Sequence, residues 1–189
     1  MEELLAYLLQ FGQLDQQQRD LIQARVKARH IPKGAYFSEA GKIARHIGYV
    51  TEGIFRVCYY TKQGDSITRY FVYENRFVVD INSFREETPS AEYIEAVTDC
   101  RILVFSKQDF TELAALIPGW QDLFVKITSY VLENKLRVTS NMLAQDAQTR
   151  YLNFIDHYPG LVNRVPLAML ASYLGITPSS LSRIRKNIL

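Results

Sequence analysis

The stretch LAMLASYLGITPSSLSRI, residues 167–184, determines the expected fold of the C-terminal end. Two short helices that cross at a steep angle need a small residue at their contact, and Ala171 supplies it. Gly175 suits the positive φ with which many helices end. Thr177 followed by Pro178 is typical of a helix N-cap and first turn. The spacing therefore predicts a helix-turn-helix unit.

The second helix of this unit has two different faces. Apolar residues fill the shared core; they are Leu170, Leu174, Ile176, Leu181 and Ile184. The opposite face carries hydrogen-bond donors suited to a DNA major groove, namely Ser179, Ser182, Arg183 and Lys186. We predict that Arg183 contacts a guanine edge, and that phosphates are held by Lys186, Arg185 and the hydroxyls of Thr177 and Ser180. The alternative is a generic helical hairpin with a solvated polar face.

The charge distribution favours a nucleic-acid partner for this end of the chain. The formal net charge is only +2, yet residues 145–189 hold five basic residues against two acidic ones. Arg183, Arg185 and Lys186 all lie within the last seven positions. A basic cluster on a near-neutral body suits phosphate contact. A solvated basic helix end has the same composition, so charge alone does not decide.

The pattern upstream changes twice. Leucines at helical spacing predict helices from Glu2 to about residue 27. From Ile31 to Phe105 the apolar residues alternate, and glycines separate short segments rich in β-branched and aromatic residues. This pattern predicts an antiparallel roll or barrel. The helical period then returns at Ser106, which is a candidate cap for a helix over 107–116.

A long helix is predicted from about Trp120 to Met142. Along it, seven residues recur at alternating steps of four and three, the spacing of a coiled-coil seam; they are Trp120, Phe124, Ile127, Val131, Asn134, Val138 and Asn141. A second apolar stripe, formed by Leu132, Leu136 and Leu143, is expected to face the β-domain of the same chain. Two apolar faces favour a homodimer. The alternative is that the seam is buried within its own subunit.

The whole chain resembles the CRP/FNR family of bacterial transcription regulators. In the N-terminal half the resemblance rests on Pro32-Lys-Gly34, Gly41, Tyr49-Val-Thr-Glu-Gly53, Arg56-Val57 and Gly64, and in the C-terminal half on the more specific match over 170–186. It implies an α+β fold with a jelly-roll-like sensor β-roll at 1–117, a dimerisation helix at 118–144 and a helix-turn-helix domain at 145–189. It also implies a homodimeric, sequence-specific regulator that binds palindromic double-stranded DNA, with RNA polymerase as a further partner.

The sensor region departs from the cyclic-nucleotide members of that family. Those members carry a Gly-Glu pair and, further on, Arg-Ser-Ala, whereas this chain has Val79-Asp80 and then Pro89-Ser90-Ala91-Glu92. Asp80 is a candidate for the ribose-binding carboxylate, but no arginine stands at the phosphate position, and the acidic surroundings suit a phosphate poorly. We predict a divergent pocket that does not bind cAMP. The candidate effector residues are Asp80, Ser90, Glu92, Thr128 and Ser129.

Other classes of function fit the sequence less well. A cupin-like metal shell needs a close pair of histidines, and His30, His46 and His157 are scattered. Two cysteines, Cys58 and Cys100, are too few for an iron–sulfur cluster and are expected to be buried thiols. No nucleophile–base arrangement or phosphate-binding loop is recognisable. We therefore predict no enzymatic activity, no metal and no evident cofactor.

Location and partners complete the expectations. No apolar run approaches the roughly 18 residues of a membrane span, and the acidic N-terminus does not resemble a signal peptide. A cytoplasmic protein without membrane contact is the expectation. The alternative function is an effector-binding signalling module whose C-terminal helices bind a protein partner. Steep salt dependence of DNA binding would separate the two.

Overall fold

The computed structural model describes residues 1–188, which form eight helices and eight strands. Leu189, the last residue of the predicted DNA-binding domain, lies outside the described residues. The fold is α+β, with a β-roll in the N-terminal half, one long helix and a C-terminal helical unit. The predicted fold class is confirmed. No helix within 1–188 combines the length and apolarity that a bilayer span requires.

All strand pairs are antiparallel and form two four-stranded sheets. The sheet orders are β1-β8-β3-β6 and β2-β7-β4-β5, so β5 is an edge strand. The strands are β1 (Lys27–Ile31), β2 (Tyr36–Ser38), β3 (His46–Glu52), β4 (Phe55–Tyr60), β5 (Ser66–Val72), β6 (Arg76–Val78), β7 (Tyr93–Ala96) and β8 (Cys100–Ser106). Alternating side chains from both sheets fill the roll; buried Val50, Phe55 and Ile102 belong to this core.

The helices frame the roll and continue beyond it. They are α1 (Glu2–Leu8), α2 (Gln16–Arg25), α3 (Ile81–Glu86), α4 (Lys107–Leu116), α5 (Trp120–Leu143), α6 (Ala147–His157), α7 (Leu167–Leu174) and α8 (Pro178–Ile188). Local capping sets several of the starts. The Ser106 hydroxyl accepts a hydrogen bond from the Asp109 N–H at the start of α4, as predicted. Asp15 and Asp146 cap α2 and α6 in the same way.

The long helix α5 turns its aromatic face toward its own subunit. Trp120, Phe124 and Ile127 are buried in a cluster with Phe105 of β8 and residues of α1, α2 and α4. The ring centroids of Trp120 and Phe124 lie 5.0 Å apart. Rings at this separation and tilt gain attraction beyond their area burial. The predicted dimer seam is therefore wrong in its first half, and the alternative of burial within the subunit is the one observed there.

The opposite stripe of α5 is exposed, which reverses the second expectation for this helix. Leu132, Leu136 and Leu143 are 53%, 58% and 86% exposed rather than packed on the β-domain. Both stripes have three- and four-residue spacing, and a helical period alone does not say which stripe meets the same chain. The aromatic stripe is the one that packs on its own subunit, because Phe105 and Phe110 offer it aromatic partners.

Replacing Phe124 with alanine should lower the free energy of unfolding by about 3–5 kcal/mol, because it removes a large side chain from a core. The loss should be the same at every protein concentration, since that core belongs to one chain. Leu136→Ala is the matched exposed substitution on the same helix and should leave the unfolding of dilute protein almost unchanged. Urea unfolding followed by circular dichroism, at two concentrations a hundredfold apart, measures both. Equal effects of the two variants would contradict the observed faces.

Candidate nucleic-acid interface and sensor cavity

The helix-turn-helix predicted from residues 167–184 is formed. Gly175 ends α7 with φ 68° and ψ 35°, the left-handed conformation that the sequence required of it. The Ile176 N–H donates to the Ala171 carbonyl at 3.0 Å, which closes the turn. The guanidinium of Arg150 donates to the Leu174 carbonyl at 2.6 Å. Two hydrogen bonds, one from the Ile176 backbone and one from the Arg150 side chain, therefore satisfy carbonyl groups at the end of α7.

The start and the inner face of α8 also follow the sequence. The Thr177 hydroxyl accepts a hydrogen bond from the Ser180 N–H at 3.1 Å and so caps the helix. The Ser179 and Ser180 hydroxyls each lie 2.9 Å from that of Thr177. Leu181 is fully buried against α7, with Ile184 packed beside it. These contacts fix the rotation of α8 about its axis.

That rotation leaves a polar, cationic surface, which we call the recognition face. Ser179, Arg183 and Lys186 are exposed and Ser182 is half-buried. The helix contains no acidic residue. Arg183 and Lys186 take part in no ion pair within residues 1–188. The face therefore presents hydroxyl and cationic donors to solvent without an internal anion competing for them.

Arg185 occupies a different side of α8 from the one predicted. Its guanidinium donates to the Val162 carbonyl at 3.1 Å and lies 5.6 Å from the centre of the Tyr151 ring. The side chain is half-buried rather than extended into solvent. Helical geometry explains the difference, because Arg185 follows Ile184 and lies close to the buried stripe. Its observed contacts hold α8 to the rest of its own domain.

The helical unit is docked on the edge of the roll. The Ser172 hydroxyl of α7 accepts a hydrogen bond from the Thr68 N–H of β5 at 2.9 Å and donates to the Ser66 carbonyl at 3.2 Å. Backbone groups on an edge strand lack a neighbouring strand to pair with. One serine therefore satisfies a donor and an acceptor that β5 would otherwise leave free.

Aromatic packing and an ion pair extend this docking contact. Phe71 of β5 lies 5.6 Å from Tyr173 and 6.4 Å from Phe154, measured between ring centroids. The Arg164 guanidinium donates to both oxygens of Glu74, at 2.5 and 3.1 Å. Burial opposes ionisation of Glu74, yet the hydrogen bonds from Arg164 and from the Gly53 N–H bring its pKa below the ordinary value. The roll and the helix-turn-helix unit thus share one apolar cluster and are joined by one ion pair, Arg164–Glu74.

Replacing Ser172 with alanine should speed hydrogen exchange at the Thr68 amide, because that N–H loses the hydroxyl to which it donates on the edge of β5. Leaving a partly buried donor unpaired costs about 1–3 kcal/mol, so exchange at this contact should rise clearly. Ser179→Ala removes an exposed hydroxyl from the neighbouring helix and is the matched control. Mass spectrometry of peptides spanning Ser66–Val72 reports the exchange. Unchanged exchange in the Ser172 variant would mean that the docking does not persist in solution.

Three of the predicted effector residues come together, but they satisfy one another. Asp80 caps α3, with Oδ1 accepting from the Ser83 N–H at 3.1 Å, and Oδ2 accepts from the Ser90 hydroxyl at 2.6 Å. The Ser90 hydroxyl is also 2.9 Å from the Glu92 carbonyl. The Glu92 carboxylate forms an ion pair with Arg69. The short helix α3 was not predicted from the sequence, so the capping role of Asp80 was missed.

The other two predicted effector residues, on α5, lie apart from this group. The Thr128 hydroxyl donates to the Phe124 carbonyl one turn earlier, and Ser129 is exposed on the outer stripe. Hydroxyls that bond to the preceding turn are common in helices. No contact within residues 1–188 links either residue to Asp80 or Ser90.

A cavity lies elsewhere, where the roll, α5 and the helix-turn-helix unit meet. It has a volume of about 500 Å³. Much of its wall is aromatic, including Tyr70, Tyr73, Phe77, Phe154, Tyr158 and Tyr173. Four residues that can carry positive charge also line it, namely Arg76, Lys135, Arg137 and His157, and no aspartate or glutamate in the described chain does so. Asn134 and Val138, predicted for the dimer seam, line it as well, and Asn141 borders a neighbouring cavity.

Sequence reasoning missed this cavity because three separate parts of the chain build it. One signal was present: Lys135 interrupts the inner side of α5 between Asn134 and Val138, where a lysine facing a partner helix would be costly.

The cysteines and the potential metal ligands of residues 1–188 form no second candidate site. Cys58 and Cys100 are buried free thiols whose pKa values are raised by burial. Residues 1–188 contain no cluster of three or more metal-binding side chains.

Proteins of known sequence and structure share parts or all of this architecture. Residues 28–116 match the sequence profile of the cyclic nucleotide-binding domain family. The c-di-GMP-responsive global regulator CLP of Xanthomonas campestris superposes with a TM-score of 0.71 at 17% identity, over 92% of this chain and 91% of that one. The chain has the fold of the CRP/FNR regulators. A search of curated protein sequences found no match.

Two further CRP/FNR structures support the same fold. FixK2 of Bradyrhizobium japonicum has a TM-score of 0.72 at 14% identity, with 86% of this chain and 84% of that chain covered. A CRP/FNR-family transcriptional regulator of Eubacterium rectale has a TM-score of 0.71 at 13% identity, with 92% and 83% covered. The similarity spans the roll, the long helix and the C-terminal unit. The CRP/FNR-type architecture predicted from the residues is therefore confirmed.

Proposed function

We propose that this chain is a dimeric, sequence-specific DNA-binding transcription regulator of the CRP/FNR type. The observation that carries the proposal is the recognition face of α8, which is exposed, cationic and free of acidic side chains. A recognition helix enters the major groove with its N-terminal residues against the base edges. Ser179, Ser182 and Arg183 occupy that part of α8, and Lys186 follows one turn later.

The roles of these side chains follow from their positions. Arg183 is suited to bidentate pairing with a guanine, because its guanidinium is exposed and unpaired within the described chain. Lys186 is placed to neutralise a phosphate. The N-terminus of α8, with Thr177 and Ser180, offers backbone N–H groups and a positive dipole to a second phosphate. Arg185 supports the helix from behind and is not part of the proposed contact.

Replacing Arg183 with alanine should weaken binding to the specific operator by about 1–3 kcal/mol and relax specificity at one base pair. Gel-shift titration on the region upstream of the protein's own gene, with single-base variants of the bound site, measures both effects. Arg29→Ala is the matched control, because Arg29 is an exposed arginine on β1 at the other end of the chain. Full affinity in the Arg183 variant would remove this residue from base recognition.

Salt dependence distinguishes DNA binding from binding of a protein partner, the alternative role for the C-terminal helices. Each neutralised phosphate lowers the slope of log K against log salt by about 0.9. The Lys186→Gln variant should therefore bind all DNA sequences more weakly and with a slope shallower by about one. A slope near zero in the unmodified protein would favour the alternative.

A homodimer is proposed through the outer stripe of α5, not through the seam first predicted. The exposed residues of this stripe follow a heptad spacing; they are Val125, Ser129, Leu132, Leu136, Thr139 and Leu143. Leucine at such positions packs against a second helix with the same pattern. Four of these six exposed residues are valine or leucine, and monomeric proteins rarely leave large apolar patches in water. A two-fold axis along this stripe would present two recognition faces to half-sites of a palindrome, about 34 Å apart.

Replacing both Leu132 and Leu136 with glutamate should convert the dimer to a folded monomer, because facing carboxylates repel one another along the seam. Analytical ultracentrifugation measures the mass, and circular dichroism should show unchanged helix content. Glu133→Gln alters an exposed neighbour outside the stripe and should leave the dimer intact. A double variant that remains dimeric would place the interface elsewhere.

The effector residues support a regulator that does not respond to cAMP. Both oxygens of Asp80 already accept hydrogen bonds within the chain, and the nearby cation Arg69 is paired with Glu92. A cyclic phosphate entering this region would therefore displace an existing carboxylate from its partner. A cytoplasmic location stays a prediction from the sequence, and contact with RNA polymerase stays a prediction from the resemblance.

A further inference from the structure

We propose that the cavity between the roll, α5 and the helix-turn-helix unit binds a small aromatic carboxylic acid. Its volume of about 500 Å³ lies within the range of ligand sites, which also tend to occur where domains meet. The proposal concerns a different place from the Asp80–Ser90 region, since neither residue lines this cavity. It is also independent of the proposed DNA contact.

The aromatic part of the ligand is inferred from the walls. Tyrosine and phenylalanine rings from all three units face the space, with Tyr73 and Tyr158 at a centroid separation of 6.0 Å and Phe154 and Tyr173 at 5.5 Å. The rings meet edge to face, with interplanar angles of 85° and 60°, so each pair leaves a ring face or edge available to a further ring. Offset or edge-to-face contacts with a planar ligand would continue this packing.

The carboxylate is inferred from cations that lack an anion. Lys135 is half-buried, and its ammonium lies 3.4 Å from the centre of the Tyr70 ring. Arg76 lies 3.5 Å over the Tyr73 ring, and Arg137 donates only to the Asn134 side chain, at 3.0 Å. None of the three belongs to an ion pair formed within residues 1–188.

A desolvated ammonium without a counter-ion is unfavourable, and the pKa of Lys135 is lowered accordingly. Burial, reinforced by the positive charge of Arg69, lowers the pKa of Lys135 to about 8. A cation–π contact offsets part of the lost hydration, but it is weaker than a charge-assisted hydrogen bond. Lys135 and Arg137 both line the cavity, so an anion held there would supply a partner that each of them lacks.

The size and charge together exclude other ligand classes. A neutral apolar molecule would leave the three cations unpaired. A multiply charged anion such as inorganic phosphate would be desolvated among aromatic rings that donate few hydrogen bonds. A planar acid of one or two rings places its apolar part against the walls and its single charge at the cations.

The test uses 2-naphthoate as probe and its neutral carboxamide as the matched ligand, titrated by calorimetry into the full-length protein. We expect saturable binding of one naphthoate per chain and at least tenfold weaker binding of the carboxamide. Lys135→Gln and Arg137→Gln should each weaken naphthoate binding at least tenfold, whereas Lys126→Gln, at an exposed position on the same helix, should not. Circular dichroism confirms that the variants are folded.

Several results would overturn the inference. The first is the absence of saturable binding below about 1 mM, which corresponds to a binding free energy of only about −4 kcal/mol. The second is equal affinity for naphthoate and its carboxamide. The third is unchanged naphthoate affinity in both the Lys135→Gln and the Arg137→Gln variants. A further contradicting result would be that cAMP displaces naphthoate from the unmodified protein but not from an Asp80→Ala variant. That result would place the ligand in the Asp80–Ser90 region instead of the cavity. Gel shifts on the same variants keep the two proposals separate, because salt-dependent DNA binding without naphthoate binding contradicts only the cavity.

Discussion

The packing of the aromatic stripe of α5 on the roll is the contact on which the rest of the arrangement depends. Trp120 and Phe124 lie against Phe105 and Phe110, and this core fixes the rotation of a helix about 36 Å long. Once these rings face inward, Leu132 and Leu136 must face outward, and Lys135 must point toward the roll. The proposed dimer surface and the α5 wall of the cavity are therefore consequences of one aromatic cluster.

The docking of the helix-turn-helix on β5 makes the molecule a single mechanical unit within one chain. Ser172 completes the edge of the sheet, and Arg164 pairs with Glu74 at the end of the same strand. Each contact is modest by itself, since net hydrogen bonds contribute only about 0.5–1.5 kcal/mol. A ligand with different affinity for docked and undocked forms would shift the position of α8 only to the extent of that difference in affinity. The cavity borders this same contact through Phe154 and Tyr173.

Local chemistry was predictable from the sequence, whereas the choice between similar surfaces was not. The positions of Gly175, Thr177 and Ser106 follow from backbone and capping preferences that involve only near neighbours. The orientation of α5 required knowing that Phe110 would stand opposite Phe124, which is a contact between separate helices. Asp80 was interpreted as a ligand carboxylate because its residue type fits, yet a short helix after it uses the same oxygens. A carboxylate that caps a helix and one that binds a ribose are alike in a sequence.

The distribution of charge separates the Asp80–Ser90 region, where the cation is paired, from the cavity and α8, where the cations are unpaired within residues 1–188. In the Asp80–Ser90 region, Arg69 is neutralised by Glu92, so a phosphate would meet a closed network. In the cavity and on α8 the cations have no acidic partner within residues 1–188. The aromatic walls suit the first surface to the proposed aromatic acid, whereas hydroxyls and open solvent suit the second to the proposed contacts with phosphates and base edges. These two cationic surfaces differ in polarity and are joined through the contact between α7 and β5, which is the arrangement that the proposed ligand site and the proposed DNA contact require.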